Sequence, residues 1–341
     1  MTISFQVDRL FFMTTQNLTS NTLNNIYKKI SSVVPEIEWK IHAPLIEKIN
    51  KLKKQKNAVI LAHNYQTPEI YHGVADISSD SLALALEAAK TSADIIVLCG
   101  VHFMAETAKL MNPQKKVLLP DMEAGCSLAS SITGEDVRML KEKYPSVPVV
   151  SYVNTSAEVK AETDICCTSA NAVKVVESLE VDKVIFLPDH YLANYVQKNT
   201  KVKIISWQGT CIVHEKFTSK EIEDIRKENP NIKIIAHPEC PPDVISASDF
   251  AGSTSAMTKY VKENQPRKVL LVTECTMSDN VQVENPNVQF IKPCNLCPHM
   301  NKINLNKIFE CLTNESNEIK ISHNIAAMAR KSVKRMAEIG R

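Results

Sequence analysis

Three cysteines recur at an almost constant interval, and that interval constrains the fold more than any other feature of the chain. KKVLLPDMEAGC ends at Cys126, VKIISWQGTC at Cys211 and VQFIKPCNLC at Cys297, so the separations are 85 and 86 residues. A near-equal period is the mark of an internal repeat. Each copy is an apolar run, a short polar turn and a thiol. Three similar units therefore each offer one cysteine from the loop after a strand. Units arranged about a common centre can bring the three thiols together there.

The rest of each unit lines up behind its cysteine. It opens with a short apolar run and a polar end: AVILAHNYQ from Ala58, PVVSYVNTS from Pro148, IKIIAHPEC from Ile232. A helical stretch follows, from Ser79, Thr168 and Ser253, and then a second apolar run: DIIVLCG, KVIFLPDH, KVLLVTE. Short unbroken apolar runs alternating with helical periodicity predict an α/β fold of βαβ units with buried parallel strands. Ligands of such sheets bind beyond the carboxyl ends of the strands. The residues expected there are His63 and Tyr65, Tyr152 and Asn154, and His237 and Glu239.

Residues 1–44 read as an N-terminal extension, and 45–134, 135–217 and 218–310 as three α/β domains. Residues 311–341 read as a C-terminal helical segment that packs an apolar stripe on the body. Residues 41–56 look like an amphipathic helix whose lysine-rich end, KLKKQK, is expected to be solvated. Thr218 with Glu221 predicts a capping box. The boundaries fall in helical connectors, not in Gly/Ser linkers, so tightly packed domains are expected.

With 341 residues, 23% of them charged, and a formal charge of +2, nothing demands a nucleic-acid or membrane partner. The LFFM run at 10–13 is too short for a signal-peptide core, and no run reaches the roughly 18 apolar residues of a membrane span. Ten cysteines without a secretory signal read as a reducing compartment, the cytoplasm, with the plastid stroma as the alternative. Cys99, Cys275 and Cys311 read as small buried hydrophobes, and Cys166 and Cys167 are evenly balanced between that and a site role.

Three converging thiolates in that setting suggest a metal centre. Zinc would want a fourth ligand such as histidine. An iron–sulfur cluster on three cysteines would keep one iron open as a Lewis acid. The wide spacing argues against a zinc finger. Cys294 and Cys297 form the one close pair, a CxxC whose oxidation to a disulfide would remove a ligand.

The motifs carry a more specific signal. AHNYQ at 62–66, GVHFMAETAK at 100–109, PDMEAGCSLA at 120–129, YVNTSAEVKA at 152–161, TSANA at 168–172, FLPDHYLA at 186–193, HPEC at 237–240, GSTSAM at 252–257 and CPHM at 297–300 together resemble the quinolinate synthase family, in order over about 45–341. The resemblance implies three related three-layer α/β/α domains with short parallel sheets, set with pseudo-threefold symmetry around a central [4Fe-4S] cluster. It implies condensation of iminoaspartate with dihydroxyacetone phosphate to quinolinate, phosphate and water in NAD biosynthesis. It leaves room for transient contact with the enzyme supplying iminoaspartate. The family's cluster ligands fall on Cys126, Cys211 and Cys297. Its substrate contacts fall on His63, Ser81, Tyr152, Asn154, Ser169, His237, Glu239 and Thr254, with Tyr65 at a position of acid–base function. His63 and Glu239 join Tyr65 as catalytic candidates.

Elementary chemistry agrees with these roles. Both implied substrates are anionic, and Ser81, Ser169 and Thr254 fall at the starts of predicted helices, where free N–H groups favour anions. Two other readings stay open on the residues alone. One is an aconitase-like iron–sulfur dehydratase acting on another small acid. The other is a metal-dependent sensor that binds a metabolite without turnover.

Overall fold

The computed structural model of the protein describes residues 21–292 and 294–340. The LFFM run and the rest of residues 1–20 lie outside them. Among the described residues, twelve strands form three four-stranded parallel sheets, and each sheet has the same order: second strand, first, third, fourth. The first sheet uses Ala58–His63, Ile77–Ser79, Ile95–Cys99 and Lys116–Leu118. The second uses Val149–Tyr152, Ile165–Cys167, Lys183–Leu187 and Lys203–Ser206, and the third Lys233–Ala236, Phe250–Ala251, Lys268–Val272 and Gln289–Ile291.

The third sheet shows why these runs become strands. Ile234, Leu270 and Val272 pack with Ile222 and Val244 on one face, while Ile235, Val269 and Leu271 pack with Met257, Val261 and Met277 on the other. Successive side chains point to opposite faces, so a sheet covered by helices on both sides needs an unbroken apolar run. A helix lies on each face, which makes a three-layer α/β/α arrangement.

The repeat extends to single hydrogen bonds. In each sheet an aspartate just before the second strand accepts from the backbone of the first strand. Asp76 accepts from Ile60 N, Asp164 from Val149 N and Asp249 from Ile234 N, each at 2.8 Å. The backbone N–H of each aspartate returns the bond to the same strand residue. These clamps put equivalent positions in register: His63 with Tyr152 and His237, and Tyr65 with Asn154 and Glu239.

Two expectations about the helix that leads into strand Ala58–His63 need correction. It spans Glu36–Gln55, not 41–56, and carries Pro44 inside it. Pro35 at its N-cap and the acidic Glu36 and Glu38 in its first turn are the start signals. Its lysine-rich end is not wholly solvated. Lys53 is buried, donates to Val74 O at 2.7 Å and pairs with the clamp residue Asp76 at 2.8 Å. A lysine stem covers apolar surface readily, and here its ammonium finds partners inside.

Capped helices join the sheets. Gly134–Lys143 has a Thr133/Asp136 capping box, and Ser219–Glu228 has the expected Thr218/Glu221 box. The terminal helix, His323–Ile339, buries Ala329, Val333 and Met336 against the helix Ala157–Ala161 and strand Ile165–Cys167. Among the described residues, no helix is long and apolar enough to cross a membrane.

Candidate active site

The carboxyl ends of the first strands of all three sheets meet at one cavity of about 70 Å³. All twelve residues singled out above line it: His63, Tyr65, Ser81, Cys126, Tyr152, Asn154, Ser169, Cys211, His237, Glu239, Thr254 and Cys297. Among the described residues that line it there is no lysine or arginine. An anion entering it would meet N–H and O–H donors instead of fixed positive charge.

The helix starts differ from expectation at one point. Ser81 and Thr254 are the first residues of Ser81–Lys90 and Thr254–Asn264, capped by the side chains of Asp80 and Ser253. Ser169 is not at a helix start, because the following helix is Ala172–Glu177. It sits in a turn closed by Asn171, whose Oδ1 accepts from Thr168 N at 2.8 Å. An asparagine side chain competing for backbone donors delays the helix by three residues.

His63 and His237 share one geometry. Nδ1 of His63 accepts from Tyr65 N at 3.3 Å, and Nδ1 of His237 accepts from Glu239 N at 3.4 Å. Burial lowers His63 to about 4 and His237 to about 3, so both rings are neutral near pH 7. A neutral ring that accepts at Nδ1 carries its proton at Nε2. His237 accordingly donates from Nε2 to Ser169 Oγ at 3.2 Å, a contact between the second and third units.

Glu239 is the ionic centre of the cavity. Tyr152 donates to its Oε1 at 2.5 Å, and His214 Nδ1 lies 2.9 Å from Oε2. Burial opposes a charge there, but His237 and His214 and these hydrogen bonds outweigh it and hold the carboxyl well below the usual range. Burial pushes Tyr65 and Tyr152 the other way, well above the ordinary phenol value, with Glu239 adding to it. The cavity thus pairs a carboxylate that accepts with two phenols that keep their protons. Asn154 Oδ1 is buried there without a hydrogen-bond partner, an acceptor left for a ligand.

The three cysteines stand in one common turn. The backbone N–H four residues on bonds back to each cysteine carbonyl at 3.0 Å: Ser130 to Cys126, Glu215 to Cys211 and Asn301 to Cys297. The amides two and three residues on face each sulfur and lower its pKa: Leu128 and Ala129, Val213 and His214, His299 and Met300. Burial dominates nevertheless, raising Cys126 to about 12, Cys211 well above the thiol value and Cys297 above it. Buried thiols ringed by N–H donors suit a cationic centre that draws them into the thiolate form. The donor set therefore fits an iron–sulfur cluster. Cys211, His214 and Glu239 also place ligand atoms within 4.8 Å of one another, enough for a single ion. That grouping shares Cys211 with the first, so the two cannot be filled together.

Several residues of the site escaped the sequence. His214, Asp80 and His299 line the cavity, and Asn64 donates to Thr254 Oγ1 at 2.8 Å. His214 had a weak signal: CIVH at 211–214 and CPH at 297–299 each set a histidine within three residues after the cysteine, though not at the same position. Cys275, read as a buried hydrophobe, is bonded to Cys294 in a disulfide, so Cys294 is paired with it and not with Cys297. The backbone explains the pairing: Cys275 N donates to Asn295 O at 3.3 Å, which lays the two segments side by side. Cys166 and Cys167 are buried on strand Ile165–Cys167 and do not line the cavity.

Known proteins resemble the chain over most of its length. The family described as quinolinate synthetase A protein (NadA) matches residues 47–338. A quinolinate synthase from Sinorhizobium fredii is 58% identical over 315 residues, covering 92% of this chain and 88% of that protein. One from Xylella fastidiosa is 60% identical over 294 residues, covering 86% of this chain and 87% of that protein. One from Caulobacter vibrioides is 55% identical over 318 residues, covering 92% and 87%. The repeat, the common cysteine turn and these matches together place the chain in the quinolinate synthase family.

Proposed function

We propose that the chain condenses iminoaspartate with dihydroxyacetone phosphate to quinolinate, phosphate and two molecules of water, as a step of NAD biosynthesis, using a [4Fe-4S] cluster on Cys126, Cys211 and Cys297. The observation that carries this reading is the common turn that brings three thiols and unlike strand-end groups to one cavity. A cluster bound by three thiolates keeps one iron free as a Lewis acid for a substrate oxygen and its departure as water.

The side chains supply the rest. Carboxylate and phosphate oxygens would be met by His63 and His237 and by the hydroxyls of Ser81, Ser169 and Thr254. Asn154 Oδ1 would accept from a substrate N–H or O–H, which satisfies its unpaired oxygen. Imine formation and loss of water need a proton delivered to oxygen, and enol chemistry needs one withdrawn from carbon. Glu239 as acceptor, with Tyr65 and Tyr152 as protonated partners, are the groups suited to those transfers. Imines hydrolyse in water, so transient contact with the enzyme that forms iminoaspartate belongs to this proposal, as does a cytoplasmic setting.

The test is anaerobic purification followed by iron, sulfide and product analysis. The expected result is roughly four iron and four sulfide per chain, with quinolinate formed only when both substrates are present. Zinc without sulfide would overturn the cluster. An intact cluster that dehydrates another hydroxy acid and forms no quinolinate would favour the aconitase-like alternative.

A further inference from the structure

The second unit departs from the other two where its first strand ends. In the first and third units a histidine ring closes the turn, with Nδ1 of His63 accepting from Tyr65 N and Nδ1 of His237 from Glu239 N. Their backbones fold over alike: Gln66 N bonds His63 O at 3.0 Å and Cys240 N bonds His237 O at 2.9 Å. The equivalent residue in the second unit is Tyr152, whose ring has no nitrogen to accept from Asn154. The chain takes a tighter path there. Thr155 N donates to Val153 O at 2.8 Å, a bond that sets Asn154 at the apex of a γ-turn.

A lysine braces that turn from behind. Lys160, on helix Ala157–Ala161, is fully buried, and its Nζ donates to Val153 O at 2.8 Å and also to Thr155 O. One ammonium thus ties the carbonyls on both sides of Asn154. The ring of Phe103, which lines the cavity, lies 5.5 Å from Nζ. Among the described residues no carboxylate pairs with Lys160, whereas the buried Lys53 pairs with Asp76. A buried ammonium is costly to keep, and a site that needed only volume would be filled by an apolar side chain. The repeat says where the ammonium is wanted. Lys160 stands four residues before the clamp residue Asp164, while His72 and Ile245 stand four before Asp76 and Asp249. The lysine therefore belongs to the unit that lacks the ring acceptor. The atom presented by the braced turn is Asn154 Oδ1, which is buried at the cavity without a partner.

We propose that Lys160 is a positioning residue for Asn154: its ammonium holds the carbonyls on either side and so keeps the amide oxygen of Asn154 aimed into the cavity at the bound substrate. The identity of that substrate rests on the quinolinate-forming reading above. The aim of the side chain does not. Lys160 does not line the cavity, so its contribution to turnover passes through the turn it holds.

The experiment uses Lys160→Met, which keeps the stem and removes the donors, in cluster-loaded protein crystallised without air beside the wild type. In the variant the Asn154 amide should leave its wild-type rotamer, with the rest of the cavity in place and iron content at the wild-type level. In the condensation assay Lys160→Met should lower kcat/KM about tenfold, the scale of one lost neutral hydrogen bond. That loss should divide between kcat and KM as it does in Asn154→Ala. In the Asn154→Ala background the methionine should cost less than about twofold further, because the two residues act as one unit. If the methionine protein loses its iron, Lys160→Gln carries the same readouts, since its shorter stem keeps a polar head and can reach at most one of the two carbonyls. An Asn154 rotamer that stays as in the wild type overturns the proposal whether or not the protein turns over these substrates. So does an undiminished kcat/KM, or a full tenfold loss added on top of Asn154→Ala. Loss of iron in both variants overturns it too, because it assigns Lys160 to the fold at large. An Asn154 that turns in the variant of a protein making no quinolinate would sustain the positioning role and sink the functional reading instead.

Discussion

The three cysteine turns and the three strand ends face the same cavity, yet the repeat treats them in opposite ways. Around Cys126, Cys211 and Cys297 the backbone is the same to a tenth of an ångström in its closing hydrogen bond, and the same two amides face each sulfur. At the strand ends the backbone stations are also equivalent, but the residues differ: histidine, tyrosine and histidine at one level, tyrosine, asparagine and glutamate at the next. A group held by three thiols gains from identical supports. A reaction that must both give and take protons gains nothing from three copies of one residue. The repeat fixes where a side chain stands, and substitution within it fixes what that side chain does.

The largest effects should come from breaking the alike set. Cys126→Ser, Cys211→Ser and Cys297→Ser should each abolish activity and bound iron to the same degree, because each removes an equivalent support. Cys166→Ser and Cys167→Ser, buried away from the cavity, should keep both. Iron and sulfide analysis decides it, and one serine variant among the three with a full complement would end the equivalence.

The unlike set should respond unequally. Glu239→Gln keeps the shape and removes the charge that Tyr152 and His214 hold in place. Turnover should fall roughly 10²-fold or more, the scale of a lost proton carrier, while the visible spectrum of the cluster is unchanged. Tyr65→Phe should behave similarly. Normal turnover in both would show that the strand ends bind substrate without moving protons.

A smaller effect tests the clamps that hold both sets in register. Asp76→Ala, Asp164→Ala and Asp249→Ala each leave a strand N–H without its partner, at a cost of about 1–3 kcal/mol. Asp76→Ala should be the worst of the three, since it also strands the buried ammonium of Lys53. Denaturant titration of the three variants measures the order. Equal losses would mean that the buried Lys53 pair contributes no more than the more exposed Arg226 and Lys233 pairs of Asp249.

The same comparison explains what could be read from the chain. Periodicity exposed the sheets, the strand-end stations and the cysteines, because each depends on spacing alone. His214 and Asn64 act through contacts between units, and no local pattern marks a residue whose partner lies 59 or 190 positions away. The Asn171 side chain moves the helix start past Ser169, a local effect that overrides the helical periodicity around it but leaves a fainter mark in the sequence. Charge alone points Lys53 to solvent, although its long stem allows an inside position with partners.

The smallest effect concerns the turn of Cys297, which carries restraints of its own. Its N–H is 3.3 Å from Glu274 Oε1, and the disulfide between Cys275 and Cys294 ties down the segment just before it. With Cys294 held by Cys275, no free thiol stands three residues from Cys297. Cys275→Ser releases Cys294 as a thiol beside a cluster ligand, and air can then oxidise Cys294 and Cys297 to a disulfide that takes the ligand away. Cys294→Ser removes that competitor altogether and leaves Cys275 as the unpaired thiol. Both variants lose the same covalent tie, so any loosening of the loop is common to them. The difference between them isolates the competing thiol: Cys275→Ser should lose iron in air a few times faster than Cys294→Ser, with both near wild-type iron content under anaerobic conditions. Equal rates of loss would assign the bridge a purely mechanical role in holding the loop.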